Sequence, residues 1–254
     1  MQNELVDKLK LIDLKKAQLD THRPFRELEL RRLNEAMDVE YAFHSNAIEG
    51  NRLTLMETML VIVERVIVPS KSLKEHLEAV NHQSALEMVR ELASKISVID
   101  QHDIKSLHGL ILGGINNRYA GKFRDLGVYI SGANHKPPQA TAVPDLMNEF
   151  SYWLVERQDE QDLHPVFLAA QAHLRLVGIH PFIDGNGRSS RLLMNLILMK
   201  YGFPYAVIQS QMEQRRRYYQ ALDKAHVMGV TEDFELLVAE RVTAMLDVYL
   251  GALG

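Results

Sequence analysis

The chain of 254 residues is 46% hydrophobic and 24% charged, with a formal net charge of -4, a balance that supports a real core in one domain or one domain with a small helical extension. That slight acidity gives no global basic field for nucleic acid or an anionic membrane to meet. Cysteine is absent, which excludes disulfides, thiolate nucleophiles and cysteine-ligated zinc, and fits a reducing, cytoplasmic compartment. The first sixteen residues carry charge throughout and lack the apolar centre of a signal peptide. The longest apolar stretches, near Leu60 and Leu193, are broken by Glu64-Arg65 and Asn195; both fall short of the ~20 residues that span a bilayer, so no membrane partner is expected.

Taken in chain order, apolar residues recur at three- and four-residue spacings near 4–20, 24–46, 54–67, 72–96, 101–112, 143–157, 163–179, 188–201, 212–228 and 233–251, which predicts a mainly helical, all-α fold. Breakers fall between these segments at Pro69-Ser70, Gly113-Gly114, Pro137-Pro138 and Gly202-Phe203-Pro204. The first of them is a weak boundary, dividing a helical N-terminal region, 1–69, from a core, 70–254. Leu192 to Met199 is apolar on nearly every face, the mark of a helix at the centre of the domain. Residues 123–132 differ: β-branched and aromatic residues with two glycines and no helical period predict a short strand or hairpin leaning on the helical body. Such a ribbon is a connection or a flap over a site.

The chemistry concentrates in His180-Pro181-Phe182-Ile183-Asp184-Gly185-Asn186-Gly187-Arg188-Ser189-Ser190-Arg191. Proline disfavours helix in the residue before it, so the preceding helix ends at His180 and leaves the imidazole facing a loop. Gly185, Asn186 and Gly187 reach positive φ cheaply, which lets successive N–H groups converge on an anion, and the next helix points its N-terminus at the same space. Arg188 and Arg191, three apart, share one side of the first turn. Asp184 offers a carboxylate suited to Mg²⁺ that arrives with phosphates, and His180 is placed to take a proton from an attacking hydroxyl. A tight loop between helices would explain Asp-Gly-Asn-Gly alone, but not the histidine and two arginines at fixed offsets.

This stretch resembles the signature of the Fic family: histidine-proline-phenylalanine, then aspartate-glycine-asparagine-glycine-arginine and a second arginine, matched at every position. The resemblance implies a helical Fic fold with a small β-hairpin flap beside the active site, and transfer of AMP from ATP, with Mg²⁺, to a Ser, Thr or Tyr hydroxyl of a target protein. It gives His180 as the base, Asp184 as the metal ligand, Gly185, Asn186 and Gly187 as the anion hole, Arg188 as a phosphate ligand and Arg191 as the γ-phosphate ligand. Upstream, Ser45-Asn46-Ala47-Ile48-Glu49-Gly50-Asn51 is similar to the family's inhibitory motif, in which Glu49 pairs with Arg191 and blocks productive ATP binding; Glu49 is also a helix C-terminus capped by Gly50. By the same likeness Val128, Tyr129, Ile130 and Ser131 belong to the flap that receives the target as an added strand. Tyr218, in Tyr218-Tyr219 with Leu222 beyond, resembles the adenine-contacting segment, a reading that competes with core aromatics on a helix. His226 stands where some relatives carry a nucleotide-contacting asparagine, which leaves the base contact open. A homodimer rests on likeness alone.

No Gly-x-x-x-x-Gly-Lys loop, Gly-x-Gly-x-x-Gly turn or His-Glu-x-x-His helix occurs. His76, His82, His102 and His108 read as surface or satisfied core residues on helices, and Arg215-Arg216-Arg217 as a solvated helix face. His173, two turns before His180, can share its face. The expectation is a protein AMP transferase restrained by Glu49; the competing readings are AMP removal at the same site and a nucleotide-sensing protein without turnover.

Overall fold

The computed structural model describes residues 2–95, 98–160 and 162–253. Ten α-helices cover most of them: α1 (Gln2–Asp20), α2 (Glu27–Ile48), α3 (Leu55–Ile62), α4 (Leu73–Ser94), α5 (Gln101–Leu112), α6 (Val143–Glu160), α7 (Pro165–Ile179), α8 (Asn186–Lys200), α9 (Met212–Met228) and α10 (Glu232–Leu253). Three of the starts are set by reciprocal capping boxes, Thr54 with Glu57, Ser72 with Glu75 and Asp100 with Asp103, each satisfying two N–H groups that a helix end leaves unpaired. α2 begins three residues later than its apolar period, after Pro24 and an extended Arg26. α3 stops at Ile62 instead of 67, where Arg65 turns into the left-handed region and Val66 N–H folds back to Leu60 O at 3.0 Å.

α8 is the central element: Leu192, Leu193, Met194, Leu196, Ile197 and Leu198 are all fully buried, as the all-round apolar pattern requires. α7, α4 and α5 pack against it, and α1 lies along α10. Packing runs across the Pro69-Ser70 position, since Ile12, Leu19, Tyr41 and Ile48 share one core with Leu86, Leu168, Leu196 and Phe234. A smaller cluster of Val39, Ala42, Leu53, Val61, Ile62 and Ala79 sits beneath α3. No helix among the described residues is long and apolar enough to cross a membrane.

The hairpin expected at 123–132 is replaced by an irregular arm, and no strand occurs among the described residues. The backbone groups that would form a ladder are otherwise engaged: Arg124 N–H bonds to Pro181 O at 2.9 Å, and the Arg124 guanidinium takes Leu126 O and Pro138 O. The segment is non-helical, as its pattern predicts, but of its backbone groups the Arg124 N–H and Leu126 O are bonded elsewhere than to a facing strand.

Candidate active site

α7 ends at His180, which adopts φ 52 and ψ 56. That left-handed geometry is uncommon for a non-glycine residue and runs against the extended bias of a residue before proline; such strain is of order 1–3 kcal/mol and persists only where surrounding contacts impose it. Two contacts do so here. His180 N–H returns to Leu176 O at 3.1 Å, and Arg124 Nε–H donates to His180 O at 2.8 Å. The imidazole Nδ1 donates to Val177 O at 3.2 Å, which leaves Nε2 with its lone pair. Burial, only partly opposed by the Val177 carbonyl, holds the imidazole down at a pKa of about 4, so at neutral pH it is uncharged and able to accept a proton.

The loop that follows is folded by its own side chains. Asn186 Oδ1 accepts from Phe182 N–H at 2.8 Å while Asn186 Nδ2 donates to Phe182 O at 2.9 Å. Gly185 takes φ 78 as the residue before α8, two positions earlier than the periodicity placed that start, and its N–H bonds to Asp184 Oδ1 at 2.6 Å. His108, on α5, supports the loop from below. Its ring stacks on Phe182 with centroids 3.6 Å apart and planes 5° from parallel, Nε2 donates to Asp184 O at 3.0 Å, and Nδ1 accepts from Gly121 N–H at 3.0 Å. Burial lowers its pKa to about 4, consistent with a neutral ring that donates on one side and accepts on the other.

The two arginines separate. Arg188 is 2% exposed and reaches Glu78 Oε1 at 3.2 Å and Asp184 Oδ1 at 3.3 Å; both terminal nitrogens are engaged beneath the loop. Glu78 in turn accepts from Asn51 Nδ2 at 2.8 Å, which ties the stretch just after Glu49 to the same network. Arg191, fully buried, donates from Nε to Ser45 Oγ at 3.0 Å, from Nη2 to Ser45 O at 2.9 Å and to Glu49 Oε1 at 2.8 Å, and from Nη1 to Tyr218 OH at 3.3 Å. Burial works against the Arg191 charge, but Tyr218 and Glu49 outweigh it and raise its pKa. Burial pushes the Tyr218 hydroxyl up to about 12. Ser45 and Glu49, 146 and 142 residues from Arg191 in sequence, thus form one cluster with it.

A cavity of about 650 Å³ opens beside this cluster, within the size range of small-molecule sites. His180, Asp184, Gly185, Asn186, Gly187 and Glu49 form its polar wall; Ile48, Val177, Tyr218, Tyr219 and Leu222 supply apolar surface, and His226 and Arg215 are among its other lining residues. Arg188 and Arg191 lie behind this lining. Glu49 stands between Arg191 and the cavity: a Cβ on Gly187 would collide with its Oε1 and lie 3.1 Å from Arg191 Nη1. Tyr129, Ile130 and Ser131 border the mouth, with Tyr129 96% exposed, while Val128 lies outside the lining. Tyr218 is 1% exposed and its hydroxyl also meets His173 Nε2 at 3.1 Å; it is a core aromatic with one edge on the site. His173 is fully buried against Tyr218 and Phe234, so it backs the site and does not share the face of His180. His226 donates from Nε2 to Leu174 O at 2.9 Å. Among the described residues no group of three or more histidines, cysteines or acids is arranged to hold a metal ion.

Glu78, His108 and Arg124 are site residues that sequence reasoning did not select. Each acts on the loop from 56 to 110 positions away, and none stands at a motif offset. Arg215-Arg216-Arg217 divides as well: Arg216 pairs with Glu213 and Arg217 with Glu240, while Arg215 faces the cavity.

The sequence profile described as Fic/DOC family matches residues 98–198. A protein adenylyltransferase Fic of Nematostella vectensis is 38% identical over 99% of this chain and 57% of its own length, and one of Drosophila grimshawi is 40% identical over 88% of this chain and 45% of its own. The chain spans about half the length of the curated relatives it matches. Among solved structures, residues 134–508 of Fic-1 from C. elegans superpose with a TM-score of 0.85 at 31% identity, covering 97% of this chain and 71% of that one. A Fic-domain signaling protein from Bacteroides thetaiotaomicron superposes with a TM-score of 0.87 at 27% identity, covering 96% of both.

Proposed function

The chain belongs to the Fic/DOC family, and from that premise we propose that it transfers AMP from ATP to a Ser, Thr or Tyr hydroxyl of a target protein, in a cytoplasmic setting, under restraint by Glu49. The observation that carries this reading is a neutral His180, its Nε2 lone pair available, in the same cavity wall as the Asp184–Gly187 loop. In the proposed step the target hydroxyl gives its proton to His180 Nε2, its oxygen bonds to the α-phosphorus, and the bond from that phosphorus to the bridging oxygen breaks, releasing pyrophosphate. Placement and charge neutralisation do most of the catalytic work in phosphoryl chemistry.

The donor set fits a magnesium ion that comes with the nucleotide. Asp184 is a single carboxylate, its side chain half-exposed, and Mg²⁺ characteristically takes one or two carboxylates plus phosphate oxygens and water. Asp184 would hold the ion, which when bound neutralises charge on the phosphates. The N–H groups of Asn186 and Gly187, in the first turn of α8, are the donors for an anion. Arg191 answers the γ-phosphate only after Glu49 leaves it, since both acids compete for one guanidinium fork. Arg188, already held by Glu78 and Asp184, contributes positive charge from beneath the loop. The arm at 128–131 presents the target, its exposed backbone serving as the edge for an added strand.

Purified protein, Glu49→Gly and Glu49→Gly/His180→Ala are incubated with α-labelled ATP and Mg²⁺, alone and with cell lysate, and read on a denaturing gel. Label is expected chiefly with Glu49→Gly and lost with the double variant; labelling that survives loss of His180 overturns the assignment. Because the Glu49 carboxylate lines the cavity, a second reading is supported: hydrolytic removal of AMP, with Glu49 orienting water. Release of AMP from an AMP-modified protein by the wild type, lost in Glu49→Gly, distinguishes it.

A further inference from the structure

Arg124 is 3% exposed, yet its guanidinium donates to backbone carbonyls: Nε to His180 O at 2.8 Å, Nη1 to Leu126 O at 3.1 Å and Nη2 to Pro138 O at 2.6 Å. Its own N–H bonds to Pro181 O at 2.9 Å. Burying a permanent charge against carbonyls is unfavourable unless geometry requires it, and a packed apolar side chain would fill the space at less cost. The planar fork does something an apolar residue cannot, because its three nitrogens hold three separate chain segments at fixed directions. One carbonyl belongs to the residue in the left-handed hinge. The other two stand at the two feet of the arm, at positions 126 and 138.

We propose that Arg124 is a positioning residue that fixes the His180 peptide in its left-handed hinge and clamps both feet of the arm, so that the base and the surface presenting the acceptor hydroxyl move as one body. The inference deepens the proposed function and rests on His180 acting as base beside a docking arm. A second contact at the root of the arm agrees with it: Gly121 N–H bonds to His108, the ring that also holds Asp184 O. On this view the far end of the arm is fixed separately, by Asn134 bonding through N–H and Nδ2 to the Asp223 carboxylate.

The test is made in the Glu49→Gly background with Arg124→Lys, which keeps the charge and the aliphatic stem but cannot serve three carbonyls, and with Arg124→Gln, which removes the charge. The rate of label transfer from α-labelled ATP to protein, the KM for MgATP, and hydrogen exchange across the chain are measured. Arg124→Lys is expected to lower kcat by ~10- to 100-fold, the scale of a misplaced catalytic group, while KM for MgATP stays within about twofold, since the nucleotide loop at 185–191 is held by Asn186 and His108. Exchange in 125–138 and at the His180 N–H should rise together in both variants. A rate within twofold of the parent, a loss residing in KM for MgATP, or faster exchange confined to the arm each overturns the proposal. Should the Glu49→Gly parent transfer no label, the transferase reading fails, and the exchange data alone still decide whether Arg124 couples the two segments.

Discussion

Replacing Glu49 with glutamine removes one charge and leaves the shape of the Arg191 cluster almost unchanged. The contact weakened is a charge-assisted hydrogen bond of 2.8 Å, a class that contributes ~1.5–3 kcal/mol, of which a glutamine oxygen keeps only the uncharged part. The Glu49 side chain is 33% exposed and therefore screened, and Arg191 keeps Ser45 Oγ, Ser45 O and Tyr218 OH, so a net loss of about 1–2 kcal/mol is the better figure. For a domain of this size each 1 kcal/mol moves Tm by ~2–4 °C, so the free variant should melt about 2–8 °C below wild type. ATP faces the opposite balance. Its γ-phosphate must break the charge-assisted bond in wild type and only a weaker, uncharged one in the variant, which amounts to about a 5- to 30-fold gain in affinity at 1.4 kcal/mol per decade. ADP has no γ-phosphate and should gain little. Calorimetric titration of both proteins with MgATP and MgADP separates the cases. Equal gains for the two nucleotides, or none for either, would refute competition for Arg191.

Three further outcomes follow from the same geometry. Gly187→Ala places a methyl group where Glu49 Oε1 now lies and beside Arg191 Nη1; it should abolish the ATP affinity gained by Glu49→Gln, and a double variant that still binds ATP tightly would show that the phosphates lie elsewhere. Because burial holds His180 near a pKa of about 4, transfer by Glu49→Gly should show no acid limb between pH 6 and 8, whereas an inflection near the free-histidine value of ~6.5 would contradict a buried base. His82 and His108, held chiefly by burial to about 3 and about 4, are lowered on folding. The unfolded chain therefore takes up protons below pH ~6.5 that the folded one refuses, and stability falls as pH drops from there toward 4. Each contributes a loss of about 2 kcal/mol by pH 5; urea unfolding at pH 7.5 and pH 5 measures it, and equal stabilities at the two would refute the assignment.

The legible parts of this protein are those that local chain chemistry decides. Helix spans follow from apolar spacing, and the end of α7 at His180 from the proline after it, although the left-handed turn taken there does not. The 180–191 loop stands out in the sequence because one short stretch holds the histidine, the carboxylate, the glycines and the first turn of the next helix. Glu78, His108 and Arg124 were not, because each matters only through a contact that the fold creates: a lone acid on α4, one histidine among eleven, an arginine in a loop. The same limit explains the arm at 123–132. Its β-branched and aromatic residues predict strands, but pairing needs a facing segment, and here the Arg124 N–H bonds to Pro181 O and the Arg124 guanidinium to Leu126 O.

Three buried arginines surround the loop, and the way each is answered decides where control can act. Arg124, 3% exposed, meets carbonyls that cannot leave without moving the backbone. Arg188, 2% exposed, is held between Glu78 and Asp184; Glu78 is itself buried, and its other oxygen accepts from Asn51. Separating either of these would strand a charge in a region water does not reach, a loss of ~3–5 kcal/mol for a buried pair. Arg191 differs: Ser45 and Tyr218 remain on it whatever Glu49 does, and the Glu49 carboxylate already borders the cavity. Its departure costs least and leaves a fork that an incoming phosphate can fill at once. Of the ion pairs around the loop, Glu49 with Arg191 is therefore the one that exchange of one anion for another opens at least cost.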